Sequence, residues 1–324
     1  RAADQLEAGA RPEWRWHGLH PKLIDGFTFT MMDSEANQDR FPQAGTQKPS
    51  VGFPIARACV ILSLATAAIH DLAVGPYQGK QTGEPALLRR MLGDFGPQDV
   101  AVFDRCYGSY FMLALLSMRG VPACTRLHHK RDGDVREGKR LGEGDHLITW
   151  RRPERPEWMS EAQYAQIPET LTVRQIDYTV TEPGFRPKTI TVITTLIDPE
   201  EYPKEDIAKL YGYRWNVELD IRSIKQVLGL DFVPCKKPGV VLRHLWVTML
   251  AYNLIRKLIT TAAVVHDRQP RQLSFTLACQ EVIAAWMLLS TGASRDPRGV
   301  WEHILQRIAA RPVANRPGRI EPRV

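Results

Sequence analysis

Tyr211-Gly-Tyr-Arg-Trp-Asn-Val-Glu-Leu-Asp-Ile-Arg-Ser-Ile-Lys225 is the stretch around which the rest of the chain is organised. Read as one α-helix at about 100° per residue, it places Tyr211, Arg214, Glu218, Arg222 and Lys225 within a sector of roughly 80°. Val217, Ile221, Ile224 and Leu228 form an apolar stripe beside that sector, enough to dock the helix on a core. The other flank gathers a phenol, three cations and one carboxylate in the pattern Y-x2-R-x3-E-x6-K. A solvated helix also carries Glu four residues before Arg, and a Glu218–Arg222 pair is then worth only a few tenths of a kcal/mol. A site requires further acids elsewhere in the chain.

The 324 residues are enough for one large domain or two smaller ones. Hydrophobic residues make up 44% and charged residues 24%, the balance of a globular protein without a membrane span. The longest apolar stretches, near Ala56–Ala68 and Leu245–Val265, are interrupted by Arg57, Asn253, Arg256 and Lys257, and no signal peptide opens the chain. A net charge of +7 favours a polyanionic partner. The five cysteines, Cys59, Cys106, Cys124, Cys235 and Cys279, are scattered and form no CxxC pair. That excludes a disulfide scaffold and a structural zinc site and suits a reducing cytoplasm. The first residue is Arg, so the chain is expected to be part of a longer reading frame.

Two short apolar strands each present an acid. Pro21–Phe29 carries Asp25, and Val100–Asp104 ends in Asp104 before an apolar helix over Ser109–Met118. A carboxylate at the carboxyl end of a strand stands where α/β folds build their sites; the bland alternative is that Asp104 caps the next helix. Residues 33–54 read as a long loop, Ala56–Thr66 and Ile69–Val74 as strands, and Ala86–Leu92 as a helix with Thr82 its N-cap. Residues 121–184 read as a β-rich insertion. Leu171–Val180 and Phe185–Ile197 are its strand pair, joined through Thr181-Glu182-Pro183-Gly184. Helices are expected over Val240–Val265, Ser274–Leu289 and Val300–Ala310. The segment 291–324 carries seven Arg against three acids and, with Pro312, Pro317 and Pro322, reads as a basic disordered tail.

If Asp25, Asp104 and Glu218 meet, they make an oxygen-only cluster suited to Mg²⁺ or Mn²⁺. Two ions about 3.5–4 Å apart activate a water or 3′-hydroxyl and stabilise the leaving oxygen of a phosphodiester. Without cations three carboxylates in one pocket repel. Tyr211, Arg214, Arg222 and Lys225 are then close enough to hold phosphates. Asp198 also follows a strand and rivals Asp104 as the second acid. No G-x-S-x-G elbow is present, and Cys106 has no evident His partner, which disfavours a Ser or Cys hydrolase.

Three segments resemble the DDE transposases of bacterial insertion sequences. LIDGFTF is similar to their first-aspartate strand, and VFDRCYGSYF to the second, usually D-R-G-[FY]. TTLIDPEEYPKEDIAKLYGYRWNVELDIRSIKQVLGLD follows the run into their glutamate helix. The likeness covers about 22–260, with the motifs in order and separated by 79 (104 − 25) and 114 (218 − 104) residues. It implies an α/β fold: an RNase H-like catalytic core over 1–235 interrupted by the β-rich insertion at about 121–184. A C-terminal helical region over 236–290 and the basic tail follow. It implies that Asp25, Asp104 and Glu218 are the catalytic metal ligands for two Mg²⁺ or Mn²⁺ ions, and that Tyr211, Arg214 and Lys225 contact DNA phosphates. Trp215 is expected to be buried, with stacking on a flipped base the alternative. The implied activity is metal-dependent phosphodiester hydrolysis and strand transfer on double-stranded DNA, transposon ends and target, by a homodimer in the bacterial cytoplasm. A nuclease without strand transfer and a decayed DNA-binding remnant remain alternatives. Two departures stand out: Phe27 replaces the usual hydroxyl residue, and Cys106 the usual Gly. Only 24 residues precede Asp25, where family members carry a separate DNA-binding segment.

Overall fold

In the computed structural model of the chain, residues 2–48, 50–131, 133–180 and 188–313 are described. The framework is a mixed sheet. Its strands are β1 (His20–Met31), β2 (Ile55–Ser63), β3 (Ile69–Pro76), β4 (Asp99–Phe103), β5 (Ala123–Arg126), β6 (Lys139–Gly142), β7 (Asp145–Arg151), β8 (Thr170–Val180), β9 (Lys188–Thr194) and β10 (Phe232–Val233). The order is β3-β2-β1-β4-β5-β9-β8-β7-β6, with β10 alongside β1. β1 and β2 pair antiparallel, as do β2 and β3, whereas β1, β4 and β5 run parallel. The expected strand of residues 185–197 is β9. It pairs antiparallel with β5 and β8, so the strands of the β-rich segment extend the same sheet. The turn expected at 181–184 lies outside the described residues.

Ten helices complete the described chain: α1 (Ala2–Ala8), α2 (Glu35–Arg40), α3 (Glu84–Arg90), α4 (Tyr110–Ser117), α5 (Glu161–Gln166), α6 (Lys204–Gly212), α7 (Trp215–Arg222), α8 (Pro238–Val265), α9 (Phe275–Ser290) and α10 (Pro297–Ala310). One apolar core includes Leu23, Phe29 and Val102 from the sheet with Leu210, Val217, Ile221 and Tyr252 from α6–α8. A second includes Ile24, Cys59 and Phe103 with Leu88 and Leu113 from α3 and α4. Leu23 and Ile24 belong to different cores because successive strand residues face opposite sides of a sheet.

Four expectations are corrected. The loop after β1 contains α2, capped by Ser34, whose side chain accepts from Asn37 N. The N-cap of α3 is Gly83, and the Thr82 hydroxyl donates instead to Gly79 O at 2.9 Å. The tail begins with α10, which buries Ile304, Leu305 and Ile308, as its apolar spacing requires; residues 314–324 lie outside the described residues. The fourth and largest correction is that Tyr211–Lys225 is not one helix. α6 ends at Gly212, with Tyr213 as its C-cap and Arg214 as the N-cap of α7. Across the joint, Arg214 N, Asn216 N and Val217 N bond three residues back, to Tyr211 O, Tyr213 O and Arg214 O. Such i→i−3 bonds overwind the chain and turn Tyr211 away from the sector of Glu218. Beyond Arg222 the last turn opens to a π-helical one over Ser223–Val227.

Two buried ion pairs lock these pieces. Arg174 of β8 makes a bidentate contact with Asp145 of β7 (2.8 and 2.6 Å) and donates to Tyr202 O (2.6 Å) just ahead of α6. Asp220 of α7 accepts from Arg256 of α8 (2.8 Å) and faces Arg271 at 3.0 Å. The second pair orients α7, and with it Glu218.

A carboxylate site beside strands β1 and β4

Ile24 on β1 is in register with Phe103 on β4. The next residue on each strand is an acid, so Asp25 and Asp104 stand side by side, one strand spacing of about 4.8 Å apart along the backbone. Asp104 does not cap α4; Ser109 does, its hydroxyl accepting from Met112 N at 3.2 Å. The chain leaves β4 in a turn stabilised by Tyr107 N donating to Asp104 O and by Thr125 Oγ1 donating to the same oxygen. Cys106, in that turn, is not among the residues with left-handed backbone, so the replacement of Gly is accommodated without strain. Its thiol is pushed up to about 12, first by burial and then by Glu84, Asp104 and Asp25.

Glu218, one turn into α7, faces this pair across Arg214. The Arg214 guanidinium donates to Glu218 at 2.6 Å and lies 3.7 Å from Asp25. The expected Glu218–Arg222 pair is thus replaced by Arg214–Glu218, again at four-residue spacing, and Arg222 is exposed. Arg214 is a positive charge seated between two acids, in the position a cation bound by them would share.

Asp25 is the most perturbed acid here. Its pKa is raised to about 6, chiefly by burial; the Gly26 N–H and Arg214 oppose the rise, and Glu84 and Glu218 add to it. Glu84, the first residue of α3, is a fourth carboxylate here. The signal that exposes it is Gly26: a Cβ there would sit 2.2 Å from the Glu84 Cδ.

The remaining expected residues divide. Tyr211 is buried in the core next to the site; burial pushes its phenol up, with Arg214 opposing and Asp104 adding to the shift. Lys225 sits in the π turn and pairs with Asp231 at 2.9 Å. Trp215, expected to be buried, is 55% exposed, since it lies off the stripe of Val217, Ile221 and Ile224 that docks α7. Asp198, the rival second acid, is spent locally, accepting from Glu200 N and Glu201 N.

A different acidic group lies at the His20 end of β1. Carboxylate and imidazole atoms of Glu7, His20 and Asp99 come within 4.8 Å of one another. Lys22 already fills it: its ammonium bonds Glu7 and the His70 Nε2 (2.9 Å) and lies 3.4 Å from Asp99. Among the described residues, no helix is long and apolar enough to cross a membrane.

The family model "Transposase DDE domain" matches residues 19–254. Transposase InsG of insertion sequence IS4 from Escherichia coli K12 is 28% identical over 294 residues, 90% of this chain and 63% of that protein. The transposase of IS421 from Escherichia coli is 31% identical over 68 residues, 21% of this chain and 18% of that protein. Among solved structures, the piggyBac transposase synaptic complex with hairpin DNA is similar at TM-score 0.48 and 8% identity, over 89% of this chain and 57% of that one. The chain spans under two thirds of the length of these curated relatives. The family match begins just before β1, takes in Asp25, Asp104 and Glu218 and ends in α8, and the chain belongs to the DDE-domain transposase family.

Proposed function

We propose that this chain is the catalytic part of a DNA transposase, cutting phosphodiester bonds and joining the freed 3′ ends to target DNA. The observation that carries the reading is the convergence on Arg214 of Asp25 and Glu218, from β1 and α7, with Asp104 beside Asp25. The strand order 3-2-1-4-5, with the first three strands antiparallel and the next two parallel, supports an RNase H-like core. The β-rich segment at about 121–184 would interrupt that core within 1–235. The helical region 236–290 and the segment 291–324 would then be appended to it.

The donor set is all carboxylate, which suits Mg²⁺ or Mn²⁺, and a guanidinium already stands where a cation fits. Asp25, Asp104 and Glu218 would hold two such ions. When bound, the ions supply activation of the attacking hydroxyl and stabilisation of the leaving oxygen. Asp25, held by burial at a pKa of about 6, is ionised at neutral pH and ready to ligate. Arg214 moves from its carboxylates to a phosphate beside the cut bond, where its planar donors bind bidentately. Arg222 and Lys225 follow it along the backbone of the DNA, and Tyr211 buttresses Arg214 and Asp104 from the core. The partners are double-stranded transposon ends and target DNA in the bacterial cytoplasm. A second copy of the chain completes the complex; Trp246, Leu250 and Leu254 on α8 and Trp286 on α9 are exposed and suit such a contact.

The test is a cleavage and joining assay with Mg²⁺ or Mn²⁺ on DNA carrying the ends of the element that encodes the chain. A pre-cut 3′-hydroxyl substrate is run in parallel. Cleavage and joining that both vanish in Asp104→Asn and Glu218→Gln support the reading. Cleavage without joining would make the chain a nuclease. Salt-sensitive binding with no cleavage under either metal would make it a DNA-binding remnant.

A further inference from the structure

The geometry points to Glu84 as a further carboxylate of the divalent-ion site, sharing with Asp25 the ion held on that side; this rests on the reading of Asp25 as a metal ligand. Glu84 is the first residue of α3, and its side chain reaches back across β1. It reaches so far that a Cβ on Gly26 would lie 2.2 Å from Glu84 Cδ and 2.5 Å from its Oε1. The carboxylate therefore lies directly over the backbone of the residue that follows Asp25, and only a glycine there admits it.

Three contacts aim it. The hydroxyl of the fully buried Tyr107, three residues after Asp104, donates to Glu84 Oε2 at 3.1 Å. The Cys106 thiol lies 3.9 Å from the same oxygen. Arg57 approaches Oε1 only to 4.0 Å, because its guanidinium is held over the Tyr77 ring and donates to Thr82 O at 3.3 Å. Its Nε is buried without a hydrogen-bond partner. Glu84 is thus fixed by a neutral donor and a distant cation, and its charge is left largely uncompensated.

A structural role does not require that charge. A glutamine would accept the Tyr107 hydrogen bond equally well and would not repel Asp25. A carboxylate set by a buried tyrosine over the glycine that follows Asp25 is favourable once a cation lies between the two acids. Arg214 supplies positive charge to Asp25 and Glu218; a divalent ion would supply it to Asp25 and Glu84.

Mn²⁺ binding by calorimetry, on the whole chain without DNA, tests this in Glu84→Gln, in Gly26→Ala and in Asp25→Asn. Gly26→Ala displaces the Glu84 carboxylate and removes no acid from the chain. Both Glu84→Gln and Gly26→Ala are expected to weaken Mn²⁺ about 10- to 100-fold, and the metal-free melting temperature of Glu84→Gln is expected not to fall. Affinity in Glu84→Gln within twofold of wild type, with Asp25→Asn still weakened, overturns the role of Glu84 alone. Unchanged affinity in Asp25→Asn overturns the metal site itself. The unaltered protein gives a second reading. Fe²⁺ with peroxide should cut the backbone at 82–85 as well as near Asp25, Asp104 and Glu218; cuts confined to the last three would overturn the proposal.

Discussion

Strand β1 carries two acidic clusters, one at its His20 end and one at Asp25 in its middle, that differ in what balances them. At the His20 end, Glu7 and Asp99 surround Lys22, a lysine only 2% exposed, with His20 and His70 beside it. Around Asp25, Arg214 is seated between Asp25 and Glu218, Asp104 follows the neighbouring strand, and Glu84 lies over Gly26 with Arg57 4.0 Å away. The first cluster is closed and carries its own counter-charge. The second is open and short of positive charge. Burial alone would raise the pKa of Glu7, yet His70 and Lys22 more than reverse this and hold it well below the carboxylate range. Burial raises Asp25 as well, and there the neighbours do not reverse it. The metal site proposed above is therefore the cluster short of local cations, not the one that holds its own lysine.

The comparison breaks most visibly at Lys22. Lys22→Met leaves Glu7 and Asp99 buried without their cation, and urea unfolding should show a loss of about 3–5 kcal/mol. DNA cleavage by the surviving folded protein should be unaffected. At the other cluster, Asp104→Asn and Glu218→Gln should each cost about 10²–10³-fold in cleavage and leave stability in the absence of metal unchanged or raised.

Opposite pH responses sharpen the contrast. The folded-state pKa of Asp25 is raised to about 6 from 3.8. Its effect on stability is absent while both states are protonated, below about pH 4. A destabilisation then grows as pH rises towards 6 and levels off above it. Metal-free Asp25→Asn should therefore be more stable than wild type above pH 6, by on the order of 2 kcal/mol, and the advantage should vanish near pH 4. Glu7, lowered, contributes stability above its unfolded pKa that is lost as pH falls, so wild type should lose its advantage over Glu7→Gln in acid. The smallest effect concerns Arg214. Arg214→Gln removes the competing cation, and Mn²⁺ should bind about tenfold more tightly without DNA, while cleavage falls because a phosphate contact is lost.

Much of this site could be read in the chain before its fold. Asp25 and Asp104 each sit in or after a short apolar run, and such runs form adjacent parallel strands whose register brings the acids together. The stripe of Val217, Ile221 and Ile224 docks α7 as its period requires. The break at Gly212 was hidden, because the pattern continues through it and the switch to i→i−3 bonding leaves no periodic trace. Glu218 meets Arg214 and not Arg222, although both stand four residues from it, and Trp215 lies off the apolar stripe and is exposed. Glu84 was hidden for another reason: its position depends on the missing Cβ of Gly26, a contact 58 residues away in the chain (84 − 26). Asp220 was hidden too, since a buried aspartate in an amphipathic helix is explained only by Arg256 and Arg271 from later elements.

The most direct measurement is Mn²⁺ titration calorimetry near pH 7.5 on wild type, Glu218→Gln and Glu7→Gln. The account predicts binding to wild type, at least tenfold weaker binding in Glu218→Gln, and wild-type binding in Glu7→Gln. Binding lost in Glu7→Gln and kept in Glu218→Gln would put the metal at the Lys22 end and contradict it.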